Sequence, residues 1–292
     1  MTSSWMLVAG ALFAAMGSFA KAVGDQFSGA ELAMYRALFG LVAIGAFVLW
    51  RGETVRTRFA WGHFWRGFTG TISLVAYFYA MTQLPLATAI TLNYTSPIFL
   101  TLLSTIALGE RPNARLIGAV ALGMVGAALV LRPTFAGDQA GVGLLGLASG
   151  FFAALAYVNV KKLGDAGEPE WRVVFYFSLA GVIGGALVQA VLGQFHPVTG
   201  GNLGWLLGVG AAATIAQLAM TRAYHSGNTV LVGVFAYSTV VFSAFAGWLF
   251  FGETLPPIAW LGVAVVIVSG LVAKGATKTE APRRPALPAE ED

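Results

Sequence analysis

The run Thr91-Leu92-Asn93-Tyr94-Thr95-Ser96-Pro97 places five hydrogen-bonding side chains and a proline inside an otherwise apolar segment. Proline has no N–H to donate and frees a carbonyl one turn earlier, here that of Asn93. Deep in a bilayer, free backbone polarity survives only where protein buries it or water reaches it. The run therefore reads as a kinked helix lining an aqueous cavity, with Asn93, Tyr94 and Ser96 facing solute and Pro97 as the kink or gate. The alternative is that its hydroxyls only satisfy the kink and hold neighbouring helices together. A second polar run, Tyr237-Ser238-Thr239, begins 143 residues after Tyr94 and adds Tyr237 and Ser238 to the cavity candidates.

All eight tyrosines fall within or beside apolar segments. Tyr35 and Tyr224 suit the belt of amphipathic rings at a membrane surface. Tyr77, Tyr94, Tyr157 and Tyr237 lie deeper, where each hydroxyl needs a partner. A cavity walled by tyrosine would accept aromatic or amphipathic solutes by stacking and hydrogen bonding. For any single tyrosine, a bond to a neighbouring helix is an equally good account. Asn159 and Gln217 are amides within spans, with helix–helix contact as the default role and solute contact as the alternative.

Lys21, Glu31 and Arg36 are the charges nearest the membrane at its outer face. Arg36 lies about one turn inside its segment and is expected to pair with Glu31 or a helix terminus, because an unpaired charge there is costly. Attraction of a solute carboxylate at the outer mouth is the alternative role. No Asp, Glu, Lys or Arg is expected near the centre of any span. Intramembrane carboxylates are the usual proton relays and ion sites, so proton or sodium coupling is not visible. A strongly ionic solute is disfavoured relative to a zwitterion held by helix ends and amides. Cysteine is absent, which excludes thiolate metal sites and cysteine nucleophiles. His63, His196 and His225 fall at segment ends or in loops, away from any serine that could act as a nucleophile. No catalytic residue, metal site or cofactor is expected, the chain reads as a non-enzyme, and nothing resembles a channel's selectivity filter.

The elements that must position these residues follow from composition. The 292 residues are 57% hydrophobic and 10% charged, with mean hydropathy +0.76, against roughly 25% charged in a soluble domain. Apolar runs near the length of about 20 residues that crosses a bilayer fall at 5–23, 32–50, 61–81, 86–108, 116–131, 142–161, 173–192, 203–224, 230–251 and 258–272. The expected fold class is an all-α polytopic membrane protein with ten transmembrane helices. The pI near 9.5 reflects basic loops that orient the chain rather than nucleic-acid binding. With the N-terminus in the cytoplasm, fourteen lysines and arginines fall on the inner side, Arg66 among them, and Lys21, Arg36 and Arg132 on the outer. Both termini are therefore expected in the cytoplasm. The pairs Gly146 and Gly150, and Gly204 and Gly208, form small-residue ridges for close packing, read as packing within one chain, so a monomer is expected.

The two halves repeat. Residues 93–110 align with 236–253, and after one residue of slippage Gly118 and Gly126 align with Gly262 and Gly270. The copies differ where Asn228 stands for Pro85 and Val240 for Pro97. Each half holds five spans, and an odd number inverts the second half, as in secondary transporters with a solute site between the repeats. Tyr79-Ala80-Met81, Leu84-Pro85-Leu86-Ala87-Thr88-Ala89, Tyr94-Thr95-Ser96-Pro97 and Leu108-Gly109-Glu110-Arg111-Pro112, with a degenerate copy from Ala223-Tyr224 to Gly252-Glu253-Thr254, resemble the drug/metabolite transporter superfamily. The similarity is to its EamA-type proteins and covers residues 5–273. It implies inverted five-helix repeats at 1–136 and 137–273 and a disordered cytoplasmic tail at 274–292, in a bacterial inner membrane. It also implies a secondary transporter of small organic metabolites. The overall pattern looks most like exporters of aromatic and apolar amino acids, although other members move other metabolites or drugs. Spans one, three, four, six, eight and nine would line a cavity that opens alternately to each side. The implied partners are a small-molecule substrate, amino acids or related metabolites, and the lipid bilayer.

Overall fold

The computed structural model describes residues 2–134, 139–192 and 195–278. After a short 3-10 turn at Thr2–Ser4, the described chain forms α1 (Trp5–Ala22), α2 (Gly29–Arg51), α3 (Ala60–Gln83), α4 (Leu86–Asn93), α5 (Ser96–Leu108) and α6 (Ala114–Leu131). It continues with α7 (Ala140–Asp165), α8 (Glu170–Leu192), α9 (Gly200–Ser226), α10 (Thr229–Ala236), α11 (Ser238–Phe251) and α12 (Pro257–Lys278). Among the described residues, nine stretches are long and apolar enough to cross a membrane, with α4 and α5 forming one and α10 and α11 another. The helix outside that set is α3, which is long enough at 24 residues but carries His63, Arg66 and Gln83. Helix α12 runs to Lys278, past the boundary expected at 273. The rest of the expected tail, 279–292, lies outside the described residues.

Local chemistry sets the helix ends. Ser28 and Glu31 form a reciprocal capping box at the start of α2, satisfying two otherwise free N–H groups. Asn113 and Asn228 cap α6 and α10 through Leu116 N and Leu231 N, each at 2.9 Å. Gly109 and Gly252 end α5 and α11 with φ of 70° and 64°, a left-handed conformation that glycine adopts without steric cost. Each is followed by a glutamate whose N–H bonds to a carbonyl six residues back, Glu110 to Ser104 O and Glu253 to Gly247 O, both at 3.1 Å.

Two spans are broken near their middles. Pro97 cannot donate, and Thr95 fills in: its hydroxyl donates to Leu92 O at 2.6 Å and its N–H to the same oxygen at 3.2 Å. The carbonyl of Asn93 faces α7 at Gly150, where an added Cβ would lie 3.0 Å from it. The α10–α11 break at Tyr237 has no proline, and Tyr237 N bonds to Val234 O at 3.2 Å in a tightened turn.

The closest helix pairs are α6 with α12, α3 with α7, α1 with α9 and α2 with α8. Glycine makes the first of these possible. A Cβ on Gly126 would lie 2.8 Å from Val266 N and 3.0 Å from Gly262 O, and one on Gly262 would lie 2.7 Å from Gly126 O. The ridge on α7 also packs within the chain, Gly146 against Leu92 and Gly150 against the α4–α5 break. On α9, Gly208 meets Phe19 while Gly204 has open space beside it. The largest buried cluster, with Met6, Leu100, Leu116, Val158, Val230 and Phe235 among its members, fills the half of the bundle that carries the N-terminus.

Candidate functional site

A cavity of about 540 Å³ lies between α2, α3, α8 and α9, within the range of roughly 300–1,000 Å³ typical of small-molecule sites. It reaches Ser28 and Thr82, at the helix ends remote from the N-terminus, and extends to Val174 and Phe177 near the start of α8. Small residues create the space: Ala30, Ala33 and Ala37 on α2 face Gly181, Gly184 and Gly185 on α8. Leu74, Val75 and Phe78 make an apolar wall, and Arg36, Thr71, Ser178, Thr214 and Gln217 supply its polar groups.

Of the residues singled out in the sequence, Gln217 and Arg36 line this cavity, and the other cavity candidates are not among its lining residues. Asn93 donates to Ser149 Oγ at 3.0 Å, and Ser149 in turn donates to Gly146 O at 2.6 Å, so the amide links α4 to α7. Asn159 donates to Leu155 O of its own helix at 2.9 Å. Ser96 and Pro97 are buried, with Pro97 against Gly233 of α10. Ser238 faces Gly10 of α1, and its hydroxyl is buried without a partner. Tyr77 packs beside Leu84 and Leu92.

The two helix breaks meet. Tyr94 and Tyr237 stack with ring centroids 6.3 Å apart. A second stack joins Tyr157 to Tyr224 at 4.9 Å and 15°. Tyr224 was expected at a membrane surface. It is instead fully buried, because α9 continues to Ser226 and the turn into α10 covers it, and its hydroxyl has no partner.

The charges depart furthest from expectation. Glu31 does not pair with Arg36. Its capping box turns the carboxylate toward its own helix start, where it accepts from Ser28 N at 2.8 Å and His196 N at 2.7 Å, with His196 Nδ1 at 2.9 Å. Among the described residues, Arg36 hydrogen-bonds only Met16 Sδ, at 3.7 Å. Arg66, counted in the sequence as an inner-connector charge, lies inside α3 and is 3% exposed. Its guanidinium sits 3.9 Å from the Phe177 ring, and its Nε has no partner. The expectation that the spans hold no central charge is therefore corrected. One signal was available in the sequence: Arg66 lies five residues inside its own apolar run, too deep for a connector.

Polar contacts close the rest of the structure at both ends. At the end carrying the N-terminus, Thr229 Oγ1 donates to Glu110 Oε1 at 2.5 Å and Lys161 Nζ donates to His225 O at 3.2 Å. Nearby, the buried Glu168 takes Thr57 Oγ1 at 2.8 Å, His63 Nε2 at 3.1 Å and Arg172 Nη1 at 3.2 Å. Burial pushes the Glu168 carboxyl up, but these hydrogen bonds and the Arg172 charge outweigh it and hold it below its ordinary value. At the opposite end, Lys21 pairs with Glu253 and lies over the Phe251 ring.

The EamA-like transporter family matches residues 1–132 and 141–273. The pseudopaline exporter CntI of Pseudomonas aeruginosa is 29% identical, covering 91% of this chain and 93% of that one. A riboflavin transporter of Vibrio cholerae is 31% identical, covering 91% and 90%, and an S-adenosylmethionine uptake transporter of Rickettsia felis is 23% identical, covering 90% and 88%. A solved crystal structure shares the fold, with a TM-score of 0.81 at 21% identity over 96% of this chain and 99% of that one. None of these names is that of an amino-acid exporter, so the likeness to that subgroup gives way to the family as a whole. The chain belongs to the EamA-like transporter family and is a multi-pass membrane transport protein.

Proposed function

We propose that this chain is a secondary transporter that exports small organic metabolites, aromatic and apolar amino acids among them, across a bacterial inner membrane by alternating access. The observation that carries this reading is the cavity between α2, α3, α8 and α9. It reaches the helix ends remote from the N-terminus at Ser28 and Thr82 and runs inward to Val174 and Phe177, while at the N-terminal end Glu168 ties the connector before α3 to the start of α8. In this reading α3 is a tenth span, the termini are cytoplasmic and the cavity faces outward. The halves are inverted repeats, 1–136 and 137–273. The helix pairing supports that: with spans one to five matched to six to ten, α2–α8 and α6–α12 pair equivalents, and α1–α9 is the counterpart of α3–α7. Gln217 contacts solute in the present state. Asn93, Tyr94, Ser96, Tyr237, Ser238, Tyr77, Tyr157 and Asn159 border the path that opens as the halves rock about the breaks at Pro97 and Tyr237. Lys21, Glu31 and Arg36 stand at the outer mouth. Export rather than uptake rests on the resemblance, and the cargo could equally be another metabolite or drug of the superfamily.

The test is efflux from proteoliposomes loaded with labelled amino acids, with and without an imposed pH gradient. Saturable release that ignores the gradient supports a facilitative exporter. Acceleration by the gradient points to a proton site, with Asp25 and Glu31 the first to mutate. No release of any amino acid removes the cargo assignment.

A further inference from the structure

Among the described residues, two arginines in the transmembrane region lack acidic partners. Arg36 and Arg66 lie seven and six residues inside α2 and α3, about 10 Å from the respective helix starts at 1.5 Å per residue. The ion pairs among the described residues are Lys21–Glu253, His63–Glu168, Lys161–Asp165, Arg172–Glu168 and His196–Glu31. Neither arginine is in that set. A buried guanidinium normally finds a carboxylate or other counter-charge, and neither of these has one among the described residues. Arg36 opens on the cavity, and Arg66 lies behind Phe177 of the same wall. Buried oxygens of Thr71 and Gln217, both on residues lining the cavity, also lack partners.

None of the cavity's lining residues is acidic. Glu31 is the nearest carboxylate by sequence to Arg36, and it is committed to Ser28 and His196. The pocket thus has one guanidinium of its own, a second behind its wall, and neutral oxygens but no carboxylate for an ammonium. Guanidinium, unlike an amine, presents a planar fork that matches carboxylate or phosphate with two parallel bonds.

We propose that the cavity selects solutes of net negative charge, holding a carboxylate or phosphate on Arg36, with the Arg66 charge behind Phe177 adding to the attraction and an apolar body against Leu74, Val75 and Phe78. This rests on the transporter reading and narrows its cargo from zwitterions to organic anions.

The test uses the full chain in vesicles of zwitterionic lipid and three probes with one aromatic body: N-acetylphenylalanine, phenylalanine and phenylalanine amide. Binding of N-acetylphenylalanine at least tenfold tighter than that of the amide, with phenylalanine between them, is expected. Arg66→Gln and Arg36→Gln should each reduce that preference about tenfold. Arg36→Lys, which keeps the charge but loses the fork, should retain only part of it. Equal binding of the three probes, or preference for the amide, overturns the inference. Loss of N-acetylphenylalanine binding when phosphatidylglycerol is added assigns the arginines to a lipid phosphate and also overturns it. Saturable flux of all three probes without charge preference sinks the anion site and leaves the transporter standing. Charge-selective binding with no flux of any probe does the reverse.

Discussion

Glu168 is a place where one substitution has a calculable consequence. Its carboxylate is 4% exposed on the side-chain scale and accepts from Thr57, His63 and Arg172, tying the connector before α3 to the start of α8. In Glu168→Ala the three donors lose their acceptor. Arg172 keeps only its bond to Thr54 O at 2.9 Å, with its Nε already unpartnered. Removing one partner of a buried pair costs about 3–5 kcal/mol, and the 15% exposure of Arg172 points to the lower end, about 3 kcal/mol. For a chain of this length each kcal/mol moves the midpoint by about 2 °C, so a fall of about 6 °C is expected in detergent at pH 7.5, read by tryptophan fluorescence. The sign with pH follows from the lowered carboxyl. A group whose folded-state value is depressed stabilises above its unfolded value, about 4.3 for Glu, and loses that stabilisation as pH falls through the folded one. The gap between the wild type and Glu168→Ala should therefore hold from pH 7.5 down to about 4.5 and close only below it. A fall under about 2 °C at pH 7.5, or a gap that closes between pH 7 and 6, would refute the reasoning.

Gly126→Ala forces a methyl against backbone atoms of α12 and should cost about 1–3 kcal/mol as overpacking, whereas Gly118→Ala, with nothing within 4 Å, should be neutral or stabilising; thermal midpoints of the two separate the cases. Tyr224→Phe removes a buried hydroxyl without a partner and should raise stability by up to about 1 kcal/mol. If it also weakens solute binding, that hydroxyl meets solute in another state of the cycle. Thr229→Val leaves Glu110 without its 2.5 Å donor, costing about 1–3 kcal/mol. A single cysteine introduced at Ala154 should then label faster with a thiol reagent, and the absence of native cysteine makes that labelling free of background. Unchanged labelling would argue that the Thr229 bond does not hold that end shut.

Period and composition were enough to locate the helices. Span 86–108 coincides with α4 and α5 taken together, and Pro97 foretold the break between them. The break at Tyr237 was legible only through its likeness to Tyr94, since no proline marks it. The cavity was harder to read because its space comes from alanine and glycine on α2 and α8, residues that announce nothing individually. Asn93 looked like a solute contact, yet its geometry is that of an interhelical bond, which was the alternative weighed for every such amide. Arg66 was misjudged although its depth in the apolar run was legible, whereas Glu31 was misjudged for want of a partner that the sequence does not show. Sequence gives a charge's position along the chain but not which distant residue claims it, and His196 claiming Glu31 is separated from it by 165 residues.

The two Gly-Glu turns share backbone geometry and stand at opposite ends of the bundle, but their side chains end differently. Glu110 is held by a neutral hydroxyl against a fully buried Thr229, whereas Glu253 is held by Lys21 with both side chains half exposed. Exposed ion pairs are screened over a Debye length of about 10 Å at 0.1 M salt, and a hydrogen bond to a buried hydroxyl is not. Ionic strength is therefore a one-sided lever on this molecule. Raising it loosens the fastening between α1 and the end of α11 and leaves the fastening at the other end as it was.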